Sequence, residues 1–219
     1  MTEPSGGTDK PRRPVVVPAM AMVALTGIGI TALLGGLGEA PEEPDALGPG
    51  SVLDQGRYST KFVESRVKVE EGKFDFDQDK RFVELVFEVT NKGDETAPVG
   101  LPPKKIEQAF TATSFAGSLV KITPAFTEEA GPFAFGLSKG GETRQLQPDV
   151  PTQVILRYRL KDNENPPEKI TLDVAAFEFE PDFLSDTPQW GMVSKEVGDK
   201  RMPEVKARVT LSVKGGAGA

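Results

Sequence analysis

Apolar residues follow two different patterns along this chain. Residues 15–37 carry no charged side chain, and at ~1.5 Å per residue a helix of this length spans the ~30 Å hydrocarbon core of a bilayer. Beyond residue 50 the pattern changes to alternation of apolar and polar positions, which is typical of strands with one face in a core. The chain therefore predicts one transmembrane helix followed by a β-rich domain.

The alternation is clearest in a strand predicted at residues 82–89, where the odd positions are all apolar. Pro102 begins a stretch that favours a short helix up to residue 110, and residues 181–190 favour a helical turn or two. Seven or more short strands separated by Gly/Pro loops are typical of an antiparallel sandwich. The other predicted strands lie at residues 57–69, 119–123, 143–146, 154–160, 170–176 and 205–213.

These patterns divide the chain into five segments. They are a cytoplasmic disordered tail at residues 1–13, the transmembrane helix at 14–38, an acidic Pro/Gly linker at 39–50, an extracytoplasmic β-sandwich domain at 51–214 and a flexible tail at 215–219.

The charges that flank the apolar segment predict its orientation. Lys10, Arg12 and Arg13 precede it, and an acidic stretch follows it. Basic residues favour the cytoplasmic side, so the expected topology is a single-pass protein of the cell membrane with its N-terminus inside and its C-terminus outside. A cleaved signal peptide is the competing interpretation, although its apolar run is usually ~7–15 residues. Signal-peptide cleavage would follow the small residue Ala40. The next residue, Pro41, disfavours cleavage at that position.

The composition excludes several kinds of site. The chain has no cysteine and no histidine, which removes thiolate chemistry, serine–histidine–aspartate triads and the commonest zinc sites. The net charge is −7, and an acidic domain is a poor electrostatic match for nucleic acid. We therefore expect no nucleic-acid partner and no enzymatic activity.

Two runs carry a family resemblance. Residues 82–94, FVELVFEVTNKGD, resemble the strand and turn of telokin-like, immunoglobulin-fold extracellular domains of Gram-positive bacterial membrane proteins and lipoproteins. Residues 146–154, LQPDVPTQV, resemble the proline turn that precedes a late strand in those domains. The resemblance covers about a quarter of the domain and implies an antiparallel immunoglobulin-like β-sandwich. The lipoprotein members anchor through a cysteine that this chain lacks, so the helix is its expected anchor.

Small residues recur every four positions in the apolar segment. Gly27, Thr31 and Gly35 form a stripe on one helix face, and such stripes admit a second helix at close range. Glycine is also common in membrane helices without any such role. The stripe thus predicts a contact with a helix of a second copy or of another membrane protein. The alternative is that it reflects only the ordinary composition of membrane helices.

Three carboxylates at alternate positions are the candidate metal site. Asp75, Asp77 and Asp79 resemble the opening of a calcium loop. The positions where an EF-hand needs glycine and a bidentate glutamate hold Lys80 and Val86. The choice is therefore between a weak extracellular calcium site and an acidic turn that leads into the next strand. No other cofactor is predicted.

Aromatic residues are the candidate protein-contact positions. Phe126, Phe133 and Phe135 lie in a Gly/Pro-interrupted stretch, and Trp190 lies before the last strand. Exposed rings are typical of protein interfaces, whereas buried rings fill the core between two sheets. The sequence leaves both roles open for each of them.

The favoured function is a non-enzymatic extracytoplasmic module that binds or scaffolds a membrane or envelope protein, or associates with itself. The first alternative is a calcium- or solute-sensing accessory domain that uses the acidic loop. A cell-envelope hydrolase is a weaker alternative, because the chain has no histidine.

Overall fold

The computed structural model describes residues 43–72, 74, 78–181 and 187–215. The predicted tail, the transmembrane segment with Gly27, Thr31 and Gly35, and the carboxylates of Asp75 and Asp77 lie outside the described residues. Within the described ranges there is no helix with the length and apolar character needed to cross a membrane.

Strands dominate the described chain, which confirms the prediction of a mainly β protein. Helical structure in those ranges consists of three 3₁₀ turns at Ile106–Thr111, Ala116–Ser118 and Glu128–Ala130. The strands are β1 (Asp45–Leu47), β2 (Val52–Asp54), β3 (Tyr58–Glu70), β4 (Lys80–Asn91), β5 (Ala97–Pro98), β6 (Leu119–Thr123), β7 (Phe133–Ser138), β8 (Gly141–Thr143), β9 (Gln145–Leu146), β10 (Thr152–Arg159), β11 (Lys169–Ala175), β12 (Phe177–Pro181), β13 (Pro188–Met192), β14 (Ser194–Val197), β15 (Lys200–Pro203) and β16 (Val205–Lys214).

Ten of the described strands form one sheet with the order β6-β11-β16-β3-β4-β10-β7-β8, to which β1 and β2 add beside β16 and β3. Strands β16 and β3 meet in parallel only where Val213 and Lys214 pair with Ser65 and Arg66. This short join divides the sheet into two halves. A single hydrophobic core contains residues of both halves, so the halves pack against each other across it.

The strands predicted from long alternating segments lie where the structure has strands. The strand predicted at 119–123 coincides with β6, and five others overlap β3, β4, β10, β11 and β16 to within a residue or two at each end. The segment at 143–146 is divided between β8 and β9. The short helix predicted from Pro102 is the 3₁₀ turn at Ile106–Thr111.

Two predicted features need correction, and the prediction also missed a strand of the main sheet. The linker predicted up to residue 50 ends earlier, because β1 pairs in parallel with β16 and Leu47 packs against the core. The helical turn predicted within 181–190 is not seen in its described residues, since Pro181 and Pro188 are paired residues of a β12–β13 hairpin. Strand β7 lies in the Gly/Pro-interrupted stretch, where no strand was predicted.

Strand β4 is buried on both faces, whereas alternation predicted only one buried face. Val83, Leu85, Phe87 and Val89 lie in the core, but Phe82, Glu84 and Val86 of the opposite face are also buried. Strand β4 lies between β3 and β10, and on this second face Arg66 and Arg157 of those strands bond to Glu84 while Arg157 also lies over Phe82. On that face Lys80 and Glu88, toward the two ends of the strand, are exposed.

The Asn-Lys-Gly-Asp turn after β4 has a structural explanation. Asn91 is fully buried, and its Nδ2 donates hydrogen bonds to the carbonyls of Glu95 and Leu146 at 2.7 and 3.1 Å. Its Oδ1 accepts one from the backbone N–H of Gly93 at 3.0 Å. Because one side chain holds both the turn and β9, the two runs that carry the family resemblance are parts of one local structure.

Both tyrosines of the chain are buried, which predicts a late and cooperative alkaline titration. Burial raises the pKa of Tyr58 to about 12, and it raises the pKa of Tyr158 as well. Unfolded tyrosine releases its proton near pH ~10. Stability is therefore unaffected below pH ~10, and above it falls by about 1.4 kcal/mol per pH unit for each tyrosine that stays protonated in the fold.

The measurement is tyrosinate absorbance together with near-ultraviolet circular dichroism across the alkaline range. We expect tyrosinate to appear only as the native dichroism disappears. Ionisation of both tyrosines near pH ~10 with native dichroism retained would contradict the buried positions of the two rings.

Candidate functional site

A chain of six charged side chains crosses the outer face of the β3–β4–β10 half, on the side opposite the core. Glu84 stands at its centre, because Arg66 and Arg157 lie directly opposite it on the two neighbouring strands. Lys214 begins the chain by pairing with Glu64, and Glu70 ends it by pairing with Arg157. Such cross-strand pairs of opposite charge stabilise a sheet.

The carboxylate of Glu84 is nearly inaccessible, with 1% of its side chain exposed. Arg157 donates from Nη2 and Nε to its Oε1 at 2.6 and 3.0 Å. Arg66 donates from Nε to its Oε2 at 3.0 Å. Two guanidinium groups thus compensate one buried carboxylate, and all three side chains are held in place.

Two aromatic rings enclose the guanidinium of Arg157. Its central carbon lies 4.8 Å from the ring centre of Phe82 and 5.4 Å from that of Phe135. These distances are within the range of cation–π attraction. Since Nη1 also binds Glu70 at 2.6 Å, Arg157 forms a rigid wall between the two rings.

A cleft of about 930 Å³ opens beside this wall. We call it the Phe133 cleft, after the ring that is 53% exposed at its side. Its apolar lining includes Leu101, which is 55% exposed, and the rings of Phe82 and Phe135. Its charged lining consists of Glu70, Lys80, Glu142, Arg144 and Arg157.

The four aromatic residues predicted as protein contacts do not form one patch. Phe133 and Phe135 line the same cleft, Phe135 as part of its buried wall. Phe126 stacks on Tyr158 with ring centres 4.1 Å apart and lines a second cleft of about 760 Å³ beside β6. That ring is half-buried and packs against the core.

Trp190 lies on the β12–β13 hairpin and is half-buried against the core. A β-carbon on Gly93 would stand 3.2 Å from its indole nitrogen, so the ring covers the turn after β4. Its neighbour Phe179 is 56% exposed, with the ring centres 5.2 Å apart. The contacts of Trp190 therefore explain it as a packing residue of the hairpin.

The described member of the predicted calcium site is Asp79. Its Oδ1 accepts a hydrogen bond from the backbone N–H of Gly72 at 3.1 Å, which closes the connection between β3 and β4. Asp75 and Asp77 lie outside the described residues. In the ranges that the structure does describe, no group of three or more acidic side chains is placed to hold a metal ion.

The central residues of the site, Glu84 and Arg157, were not singled out by sequence reasoning. The available signal was a charged residue in the middle of each strand, of opposite sign in the two strands and with an apolar or aromatic residue on either side of it. Recognising the pair requires the register between β4 and β10, which alternation alone does not supply.

Comparison with known proteins does not place this chain in a family, since no family model, no curated protein and no solved structure matches it. Its function must therefore be inferred from its own geometry.

Proposed function

We propose that this chain is a single-pass membrane protein whose extracytoplasmic β domain is a non-catalytic module that binds another membrane or envelope protein. The observation that carries the proposal is the Phe133 cleft. Protein interfaces use apolar anchor residues whose surroundings are held in a fixed position. The cleft offers both, because an exposed phenylalanine lies beside a wall that ion pairs hold in place.

The chemistry of the cleft supports binding over catalysis. All residues that line the cleft belong to the described part of the chain, and among them only Thr143 carries a hydroxyl group. Glu70 and Arg157 are paired with each other, and the chain holds neither histidine nor cysteine. General-base activation of a nucleophile requires groups within hydrogen-bond reach of each other, and these residues do not supply them.

The membrane anchor and the finer fold belong to the same proposal. The uncharged residues 15–37 with basic residues before them and acidic residues after them support a retained helix and an external domain. The division of the sheet into two halves around one core supports an immunoglobulin-like sandwich.

A photoreactive amino acid at position 142, on the rim of the cleft, tests the function in intact cells that produce the full chain. We expect an adduct with a specific protein in the membrane fraction. Phe133→Asp should abolish this adduct, because it places a charge where the apolar anchor must be buried. Phe179→Asp is the matched control, since Phe179 is equally exposed but does not line the cleft.

Both variants must keep the native circular dichroism spectrum, so that a lost adduct reports on the cleft and not on unfolding. An adduct that depends on Phe133 but not on Phe179 supports the proposal. The absence of any adduct, or the same adducts in all three proteins, would refute it.

A further inference from the structure

The charged side chains that line the Phe133 cleft include more unpaired cations than unpaired carboxylates. Glu70 and Arg157 compensate each other through their ion pair. Lys80, Arg144 and Glu142 are exposed, and none of them has an ion-pair partner among the described residues. Two unpaired cations therefore face the cleft together with one unpaired carboxylate.

Two further cations stand next to the cleft. Lys68 and Arg159 lie directly opposite Phe82 on the strands either side of it. Both are exposed, and within the described ranges neither has an ion-pair partner. This excess of positive charge occurs on a chain whose net charge is −7. The outer face is thus a local exception to the acidity of the protein, and its charge is complementary to an acidic partner.

The cleft also has a free strand edge. Strand β8 contributes Glu142 and Thr143 to the lining and is the last strand in the sheet order. The outer edge of its three residues pairs with no strand of the described chain, and this free edge ends at Thr143, because the carbonyl of Arg144 accepts a hydrogen bond from the N–H of Val99. An extended segment that lies beside such an edge gains main-chain hydrogen bonds, and its alternate side chains reach the adjoining pockets. Phe133 and Leu101 supply the apolar surface for one of those side chains.

We propose that the Phe133 cleft takes an extended acidic peptide segment of the partner protein. An apolar side chain of the segment packs against Phe133 and Leu101, and its carboxylates lie beside Arg144 and Lys80. This inference rests on the proposed binding function and adds the chemistry of the partner to it.

Two fluorescent synthetic peptides test this chemistry with the purified full chain in non-ionic detergent. One carries glutamates around a central leucine, and the other carries lysines in their place. Fluorescence anisotropy should show binding of the acidic peptide that weakens as salt is added, because salt screens exposed charges. Arg144→Glu should weaken it by about tenfold or more and should strengthen binding of the lysine peptide.

Lys169→Glu is the matched control, since Lys169 is an exposed cation on β11 that does not line the cleft. Equal loss in both variants would refute the site, because it would reflect net charge alone. Equal binding of the two peptides, or no binding of either, would also refute the acidic-segment chemistry.

The outcome is distinguishable from failure of the proposed function. If the adduct at position 142 depends on Phe133 and the acidic peptide does not bind, only the chemistry of the partner is wrong. If no adduct forms, the binding function itself fails. An adduct within the chain, to the acidic residues 39–45, would identify the occupant as the protein's own segment and would overturn the proposed partner.

Discussion

Replacing Glu84 by glutamine is expected to lower the free energy of unfolding by about 3 kcal/mol. Glutamine has nearly the same shape, so the change removes the charge and leaves the packing. The guanidinium of Arg157, with 18% of its side chain exposed, then loses its buried carboxylate partner and keeps only the more exposed Glu70, while Phe82 and Phe135 still enclose it. A buried ion pair that loses one partner is destabilised far more than an exposed one.

The measurement is chemical denaturation followed by the fluorescence of Trp190, the single tryptophan of the chain. Glu88→Gln is the matched control, because Glu88 lies on the same face of the same strand and is exposed. We expect this control to change stability by no more than about 0.5 kcal/mol. A similar small effect for Glu84→Gln would mean that the ion chain does not hold the outer face together.

The Glu84→Gln substitution also affects the Phe133 cleft. Arg157 forms one wall of it only because Glu84 and Glu70 hold the guanidinium between the two rings. In Glu84→Gln, Glu70 is the one remaining ion-pair partner of the guanidinium, and the outer face beside Lys80 and Arg144 gains one net positive charge. Glu84→Gln is therefore expected to alter the charge beside the cleft as well as the stability of the domain.

The strands that the sequence predicted share a physical cause. In β3, β4, β10, β11 and β16 one face lies in the core, and burial of that face imposes alternation on the sequence. In strands β7 and β12 to β15 no face lies in the core along the whole strand, so burial does not impose a continuous alternation on them. Their burial is uneven, and proline or glycine lies within or beside them. Their pairing depends on the rest of the fold.

The candidate site was predictable only in part for a related reason. Phe133 and Phe135 are candidates from their residue type, because aromatic rings are enriched at interfaces; Phe133 is exposed and Phe135 is buried, and a partner contact at either stays a prediction. The ion chain joins residues as far apart in sequence as Glu64 and Lys214, and nothing local in the sequence brings them together. The role of Trp190 likewise depends on a hairpin that covers Gly93, which no periodicity reveals.

Replacing Phe87 by alanine is expected to cost about 4 kcal/mol. The ring is fully buried and contacts Phe62 and Phe115 edge to face, with ring centres 5.9 and 5.4 Å away. Phe62 lies opposite it on β3, whereas Phe115 comes just before β6 in the other half of the sheet. Loss of the ring therefore leaves a cavity at the junction of the two halves.

Phe179→Ala is the control of equal chemistry, because that ring is 56% exposed on the β12–β13 hairpin. Chemical denaturation should show a change below about 1 kcal/mol for this variant. A comparable loss in both, or a loss under about 2 kcal/mol for Phe87→Ala, would contradict a single shared core. Phe87 and Glu84 lie on opposite faces of β4, so the two substitutions test the core and the outer face of one strand separately.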